Sequence, residues 1–295
     1  ETGLKVHYTA EFFCANMTVE MDDTDKLKVL YEDAVKMGLT FEPPDVNRGV
    51  YRFEPVSDKV IRYGLGAIKG TGQAAIEAVV AARESGGPFK SLFDFCLRVE
   101  RTRINKRTVE ALIKAGAFDG LNANRAVLVA TLDRAFEFAL ASANNADQGG
   151  LFDMMGDDAQ GASTQEPDWV QVPPWGVREQ LIFEKSALGF YLTGHLFDEV
   201  AREVRQFVRR DLASIADSRD PLLLAGVISD FRVINTQRGK LAIFKLEDKT
   251  ASIEMTADEA LLNAHKNSLR DDAAVVVSAK CQVDQSTILQ REALP

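Results

Sequence analysis

The fold of this chain is decided at residues 63–83, which read YGLGAIKGTGQAAIEAVVAAR. Gly70 and Gly72 predict a tight hairpin, because glycine adopts turn conformations that other residues avoid. Directly after the hairpin, Ile76 and Val79 begin an apolar series at helical spacing, which predicts a helix with one buried face. A glycine-rich turn that opens onto a helix N-terminus suits an anion, because the backbone N–H groups and the positive end of the helix dipole both face it.

Two interpretations of this hairpin are open from its residues alone. Lys69 adds a positive charge beside the glycines. The hairpin therefore suits a phosphate of a nucleic-acid backbone, contacted without any reading of the bases. The predicted contacts are Lys69, Gly70, Thr71 and Gly72. The alternative is a structural turn between two helices, because short glycine strings of this kind are common.

The hairpin lies in a basic stretch of the chain. Residues 59–107 carry ten basic and four acidic side chains. Asn105 is a predicted N-cap for a helix over 106–115, and residues 112–118 (LIKAGAF) look like a degenerate second copy of the hairpin. Paired helix–hairpin–helix units with a basic connector grip duplex phosphates, so we predict that Arg103, Lys106 and Arg107 assist. The alternative is a helical bundle with a solvated basic face.

An acidic stretch follows the basic one. Residues 135–177 contain seven acidic residues and no Lys or Arg. We predict a helix over 125–143 and then a mobile acidic loop over about 144–174. Within the loop, Gln148, Leu151 and Phe152 have the form of a short linear motif, with two apolar anchors and one hydrogen-bonding side chain. The alternative is that the apolar pair pins the loop to its own domain.

The periodicity becomes strand-like from residue 222 onward. The predicted order, strand–strand–strand–helix–strand, fits a small OB-type Greek-key barrel. Such barrels bind single strands with basic and aromatic side chains on one face. The candidates here are Arg232, Arg238, Lys240 and Phe244. A spacer or a protein-contact domain is the alternative, and the stretch after residue 284 does not form a clean last strand.

Composition narrows the remaining classes of protein. A chain of 295 residues has room for two or three domains, and we expect a multidomain α+β protein of mostly helical domains followed by the barrel. No apolar run is long enough to cross a bilayer, and no signal peptide is evident. Three cysteines and three histidines are scattered, so we predict no metal site and a reducing, cytoplasmic location. The net charge of −9 argues against a general nucleic-acid binder.

Four stretches together resemble one family, the α subunits of bacterial DNA polymerase III, which are C-family DNA polymerases. They are LKVHYTAEF at 4–12, PPDVN at 43–47, YGLGAIKG at 63–70 and EKSALGFYLTGH at 184–195. The chain departs from the family at Thr9 and at Leu196, where the family usually has proline. The resemblance covers nearly the whole chain, which is similar to the C-terminal half of that subunit.

The resemblance implies a division into domains and a set of partners. Residues 1–60 would end the fingers domain, 61–210 would form a clamp-binding domain with tandem helix–hairpin–helix motifs, and 218–295 would form an incomplete OB domain. Gln148–Phe152 would be the sliding-clamp motif. Double-stranded DNA, single-stranded template and other replicase subunits would be partners.

The resemblance also implies where catalysis lies. The palm carboxylates, which would hold Mg²⁺ in the parent polymerase, are not matched here. The chain alone is therefore expected to be inactive and to carry no catalytic residue or cofactor. Two rival functions remain at this point: a non-catalytic helix–hairpin–helix and OB module of a repair protein, and a protein-interaction scaffold.

Overall fold

The computed structural model describes residues 8–152 and 165–282. By its contacts the chain divides into two compact units, the first ending at Leu192 and the second beginning at Thr193. Helices dominate the first unit and a sheet dominates the second. The predicted α+β class is confirmed.

The first unit contains seven α-helices within its described residues. They are α1 (Thr9–Val19), α2 (Thr24–Lys36), α3 (Gln73–Gly86), α4 (Leu92–Arg98), α5 (Lys106–Lys114), α6 (Arg125–Phe152) and α7 (Val177–Leu188). The side chains of Asp23, Ser91 and Asn105 each accept a hydrogen bond from the backbone N–H three residues later. These bonds satisfy donors that the first turn of a helix otherwise leaves without partners.

A small sheet lies between α2 and α3 in the chain. Its strands are β1 (Thr40–Glu42), β2 (Glu54–Ser57) and β3 (Val60–Arg62), in the order β1-β3-β2. β2 and β3 form a hairpin around residues 58–59, and β1 joins β3 in parallel. Arg62 on the central strand bridges its neighbours, since it contacts Glu42 at 2.9 Å and Glu54 at 3.3 Å.

One hydrophobic core holds the described part of the first unit together. It includes Phe13 and Met17 of α1, Tyr63 before the glycine hairpin, and Leu188 at the end of α7, all buried. Residues on both sides of position 60 thus contribute to a single core. The division into fingers and clamp-binding domains stays a prediction.

The predicted boundary between helix and acidic loop was wrong. α6 continues to Phe152, nine residues beyond the predicted end, because residues 144–148 contain no glycine or proline to stop it. Residues 165–176 have no regular structure, yet they are held in place. Val170 N–H donates to the Thr131 hydroxyl at 3.0 Å, and the Trp169 ring packs edge-on against Phe93 at 5.3 Å. The rest of the predicted loop, 153–164, lies outside the described residues.

The second unit is built on one antiparallel sheet. Its elements are α8 (Phe197–Val204), β4 (Ser218–Thr236), β5 (Gly239–Glu247), β6 (Ser252–Asp258), α9 (Glu259–Ala264) and β7 (Ala274–Cys281). The predicted order of three strands, a helix and a strand is confirmed, and the strands lie in the order β6-β5-β4-β7. The register of β4 shifts between Ser229 and Arg232.

The predicted OB-type barrel is not confirmed. Up to residue 282, β6 and β7 are the two edges of an open sheet and do not pair with each other. One core cluster contains Ile228, Phe244 and Leu262, and a second contains Leu224 and Leu246. The end of the predicted domain, 283–295, lies outside the described residues.

Candidate nucleic-acid interface

The glycine hairpin is a turn between a short 3-10 helix (Leu65–Ala67) and α3. Gly70 has a φ of 83°, a conformation that favours glycine. The Thr71 hydroxyl lies 2.9 Å from the Leu65 carbonyl oxygen and 2.6 Å from that of Ile68, and Thr71 is buried. Thr71 N–H also donates to the Ile68 carbonyl at 3.2 Å. Thr71 thus stabilises the hairpin from inside, and its hydroxyl is not exposed to a phosphate.

Four backbone N–H groups at this turn have no hydrogen-bond acceptor within the described residues. They belong to Gly70, Gly72, Gln73 and Ala74, all of which are exposed. Lys69 N–H differs, since it donates to the Ala187 carbonyl at 2.8 Å and ties the hairpin to α7. The four groups lie at the positive end of the α3 dipole. This arrangement binds anions in many proteins.

Gly72 is a glycine that the fold itself does not require. Its φ of −76° and ψ of 158° are open to any residue, and no heavy atom lies within 4 Å of where a Cβ would be. What glycine adds at this position is close access to the backbone for a group from outside. Gly116 in the second hairpin is the opposite case: its φ is 88°, and a Cβ there would lie 2.5 Å from Nη2 of Arg125.

The first turn of α5 lies against the hairpin. The Thr108 hydroxyl donates to the Gly70 carbonyl at 3.3 Å. The two residues before Thr108 in the helix are Lys106 and Arg107, both exposed. Cations at a helix N-terminus are repelled by the dipole, so their presence here favours a bound anion.

The three predicted assisting cations differ in their partners. Lys106 pairs with Asp133 at 2.5 Å and Arg103 pairs with Glu100 at 3.4 Å. Arg107 makes no ion pair within residues 8–152 and 165–282. The hairpin and the first turn of α5 therefore lie together, and Lys69 and Arg107 are exposed cations there without an ion pair in the described part of the chain.

The second hairpin is occupied by charged side chains of the protein itself. Arg125, only 3% exposed, binds both carboxylate oxygens of Asp119, at 2.8 and 2.7 Å, and donates to the Lys114 carbonyl at 3.2 Å. Its other neighbour is the fully buried Glu184, at 3.6 Å, which accepts a hydrogen bond from Leu192 N–H. Burial alone would lower the pKa of Arg125, but hydrogen bonds and charge from Asp119, with help from Glu184, raise it. This network was not predicted from the sequence.

The proposed linear motif falls at the end of α6. The backbone of Gln148, Leu151 and Phe152 is helical. Their side chains lie outside what the structure describes, so their role stays a prediction.

The four predicted single-strand contacts do not form one surface. Phe244 is 3% exposed and its ring packs in the core near Phe231, so it offers no face to a base; its prediction is corrected. Arg232 pairs in register with Ile243, and Lys240 pairs with Asn235. Because side chains alternate along a strand, these two cations lie on opposite faces of the sheet. Arg238 is exposed in the turn between the strands.

The described residues offer neither a metal site nor a membrane span. Within residues 8–152 and 165–282, no group of three or more His, Cys, Asp or Glu side chains lies together in a way that could hold a metal ion. In the same part of the chain, no helix has both the length and the apolar character needed to span a bilayer.

Comparison with known proteins finds a matching family model and several similar sequences. A family model described as a helix-hairpin-helix motif matches residues 38–128, which include both hairpins. The chain is 43% identical to DNA polymerase III subunit alpha of Neisseria meningitidis serogroup A over 95% of its length. The subunits from Vibrio cholerae and Escherichia coli K12 are 39% and 36% identical over the same share. The chain spans about 24% of each of these relatives. It is therefore homologous to a region of the DNA polymerase III alpha subunit, and it contains a helix-hairpin-helix motif.

Proposed function

We propose that this chain is the part of a bacterial replicative DNA polymerase that holds duplex DNA and tethers the enzyme to its sliding clamp. The observation that carries the proposal is the turn at Gly70–Ala74, where four N–H groups without an acceptor in the described residues and the open space around Gly72 are accessible to an anion. Homology over 95% of the chain supports a polymerase rather than a repair protein.

At the hairpin, one backbone phosphate of the duplex accepts hydrogen bonds from the N–H groups of Gly70, Gly72, Gln73 and Ala74. Lys69 and the first turn of α5 supply positive charge around it. Contacts of this type position the protein on the duplex and carry no sequence information. Binding should therefore be independent of sequence and weaken steeply as salt rises.

The test compares two glycines in the same local setting. Gly72 and Gly176 are both N-caps with extended backbone, and neither has a heavy atom within 4 Å of a built Cβ. Gly72→Val should weaken binding to a labelled duplex by at least about tenfold, since it blocks charge-assisted hydrogen bonds worth about 1.5–3 kcal/mol. Gly176→Val should leave the affinity unchanged. If fluorescence anisotropy gave equal affinities for the two variants, the hairpin would not be part of the duplex-binding surface.

The tether is proposed at Gln148, Leu151 and Phe152, with the apolar pair as anchors in a pocket of the clamp. Holding the polymerase on the clamp makes each return to the primer end an intramolecular step. A modest affinity at each contact then suffices. The acidic, lysine- and arginine-free stretch 135–177 supports a surface separate in chemistry from the hairpin.

Clamp binding can be separated from duplex binding by mutation. The double variant Leu151→Ala/Phe152→Ala should abolish binding to a purified bacterial sliding clamp in surface plasmon resonance while duplex affinity stays the same. Leu140→Ala is the control, because Leu140 is an exposed leucine on the same helix. Loss of both activities in the double variant would indicate unfolding instead.

The remaining parts of the proposal concern the whole polymerase. Arg232, Arg238 and Lys240 are proposed contacts to single-stranded template, other replicase subunits are proposed partners, and the bacterial cytoplasm is the proposed location. Mg²⁺ would serve the catalytic centre of the parent polymerase. The purified chain with Mg²⁺ should not extend a primer, and extension in a gel assay would refute this.

A further inference from the structure

A short arginine-rich segment of the second unit has no role in the proposals above. Residues 202–210 read REVRQFVRR, with four arginines and one glutamate in a chain whose net charge is −9. Phe207 lies in the middle of the segment and is 75% exposed. A large aromatic ring this exposed among arginines is the combination that binds single-stranded nucleic acid in many proteins.

The ring is exposed on a segment whose backbone is held on both sides. Phe207 N–H and Val208 N–H donate to the Val204 carbonyl at 2.9 and 2.8 Å, which continues the turn of α8. Val208 is buried, and so is Leu212, whose N–H donates to the Asp248 carboxylate at 2.9 Å. Because its neighbours are anchored, Phe207 is exposed by the fold rather than by a loose chain.

Most of the arginines are not neutralised by the protein. Arg205 pairs with Asp211. Arg202, Arg209 and Arg210 are exposed and make no ion pair within the described residues. Guanidinium groups form paired hydrogen bonds with phosphate oxygens and stack on flat rings, so three of them in the same nine-residue segment as an exposed phenylalanine suit a strand with accessible bases.

We propose that residues 202–210 form a binding site for single-stranded nucleic acid, in which Phe207 stacks on a base and Arg202, Arg209 and Arg210 contact the phosphates beside it. The ring favours a strand with unpaired bases over a duplex, because the stacked bases of a duplex would first have to be separated. The site rests on the proposed role of the chain in handling DNA, but it uses none of the hairpin residues and none of the predicted contacts on the sheet.

The first test measures binding of the intact chain to a fluorescein-labelled oligothymidylate of about sixteen nucleotides, the upper end of the usual site size, and to a duplex of the same length. Phe207→Ala should weaken oligothymidylate binding about tenfold, as expected for the loss of one stacked base, and leave duplex binding unchanged. Phe207→Trp should retain affinity, and its added fluorescence should be quenched on binding. Leu223→Ala is the control, because Leu223 is another exposed apolar residue of this unit.

The second test addresses the arginines through salt dependence. Replacing Arg202, Arg209 and Arg210 together by alanine should make the slope of log affinity against log salt shallower by about 2 for oligothymidylate, because each phosphate that an arginine neutralises on a single strand adds roughly 0.7 to that slope. Arginine effects without any effect of Phe207→Ala would indicate a site for polyanions, such as an acidic peptide, and overturn the proposal. Absence of oligothymidylate binding by the unmodified chain at low salt would overturn it as well.

The two proposals fail separately. If the duplex does not bind but Phe207→Ala still weakens oligothymidylate binding, the hairpin proposal is wrong and this site stands. If Gly72→Val weakens duplex binding while Phe207→Ala changes nothing, the hairpin proposal stands and this site does not exist.

Discussion

Arg125 is the residue on which the second hairpin depends. Its guanidinium occupies the space that a Cβ on Gly116 would need and joins three parts of the first unit through Asp119, the Lys114 carbonyl and Glu184. The two hairpins thus use their glycines differently. One glycine admits the protein's own side chain, and the other leaves its backbone open to another molecule.

We predict that Arg125→Ala destabilises the first unit by about 3–5 kcal/mol, because it leaves the buried carboxylate of Glu184 without its nearby charge. The measurement is urea unfolding followed by tryptophan fluorescence. Arg107→Ala, at an exposed arginine without an ion pair in the described part of the chain, serves as the control and should change the free energy of unfolding by less than about 0.5 kcal/mol. A small effect of Arg125→Ala would show that the network is not a major source of stability.

Asp248 is the corresponding residue in the second unit. Its carboxylate accepts hydrogen bonds from the N–H groups of Leu212, Thr250 and Ala251 and from the Thr250 hydroxyl, at 2.6–3.0 Å. Burial alone would raise the pKa of Asp248, but these donors favour the charged form and lower its pKa below the ordinary value. The carboxylate therefore ties the chain before β4 to the turn after β5.

Asp248 gives the second unit a pH dependence of known sign. A carboxylate whose folded-state pKa is lowered stabilises the fold above its unfolded pKa of about 3.9, and this stability is lost as the pH falls through the folded-state pKa. Asp248→Asn should cost about 2 kcal/mol at neutral pH and weaken the decline in stability in acid, below about pH 4. Circular dichroism during urea unfolding, repeated from neutral to strongly acidic pH, measures both effects. Asp220→Asn, at an exposed aspartate, should show neither effect.

Single residues could be located from the sequence where the signal was local. The Asn105 cap and the positive φ of Gly70 and Gly116 follow from neighbouring residues, so they could be predicted. The Arg125–Glu184 contact could not, since only the folded chain brings together residues so far apart in sequence. Phe244 failed for a related reason: alternation along a strand does not say which face is buried.

At the scale of elements, the charges in the first turn of α5 are unfavourable for a helix. Its first turn carries Lys106 and Arg107 and no acid, although acidic residues are favoured at the positive end of a helix. Its Asn105 cap and its buried Leu112 and Ile113 compensate. A surface that keeps an unfavourable charge next to an open hairpin is consistent with an anionic ligand.

We predict that Arg107→Glu separates stability from binding. The variant should raise the free energy of unfolding by about 0.5 kcal/mol, because an acid replaces a cation at the helix N-terminus, and it should weaken duplex binding. Arg101→Glu makes the same change of charge outside a helix and should not stabilise the protein. Loss of stability in Arg107→Glu would contradict the electrostatic argument. The measurements are urea unfolding and fluorescence anisotropy.

Element order was predictable, and element ends were less so. The order of strands and helix in the second unit follows from the change of period after residue 222. The end of α6 was misplaced because polar composition alone does not stop a helix. Closure of the sheet could not be decided from strand order, since closure depends on how the edges meet.

At the scale of the whole molecule, the described chain contains separate hydrophobic cores in its two units. Both tryptophans, Trp169 and Trp175, belong to the first unit. Tryptophan fluorescence therefore reports on the first unit alone, whereas far-ultraviolet circular dichroism reports on both. Proteins with more than one domain commonly unfold in more than one step.

We predict that the two signals do not coincide in urea unfolding. Arg125→Ala should shift the fluorescence transition to a lower urea concentration. Asp248→Asn should leave the fluorescence transition in place and shift only the transition of the second unit, which is seen by circular dichroism. The unmodified chain under the same conditions is the reference. A single transition, shifted equally by both variants in both signals, would mean that the two units unfold as one.

The length of α6 has a consequence for the geometry of replication. Its first residue, Arg125, is fixed in the buried network of the second hairpin, and its last turn carries the proposed clamp motif. At 1.5 Å per residue, the axial distance from Arg125 to Gln148 is about 34 Å, which equals the rise of about ten base pairs of duplex. On the proposed function, α6 holds the clamp motif at this distance from the second hairpin. Lengthening α6 by two helical turns would move the clamp motif about 11 Å farther from the second hairpin, which is about the rise of three base pairs.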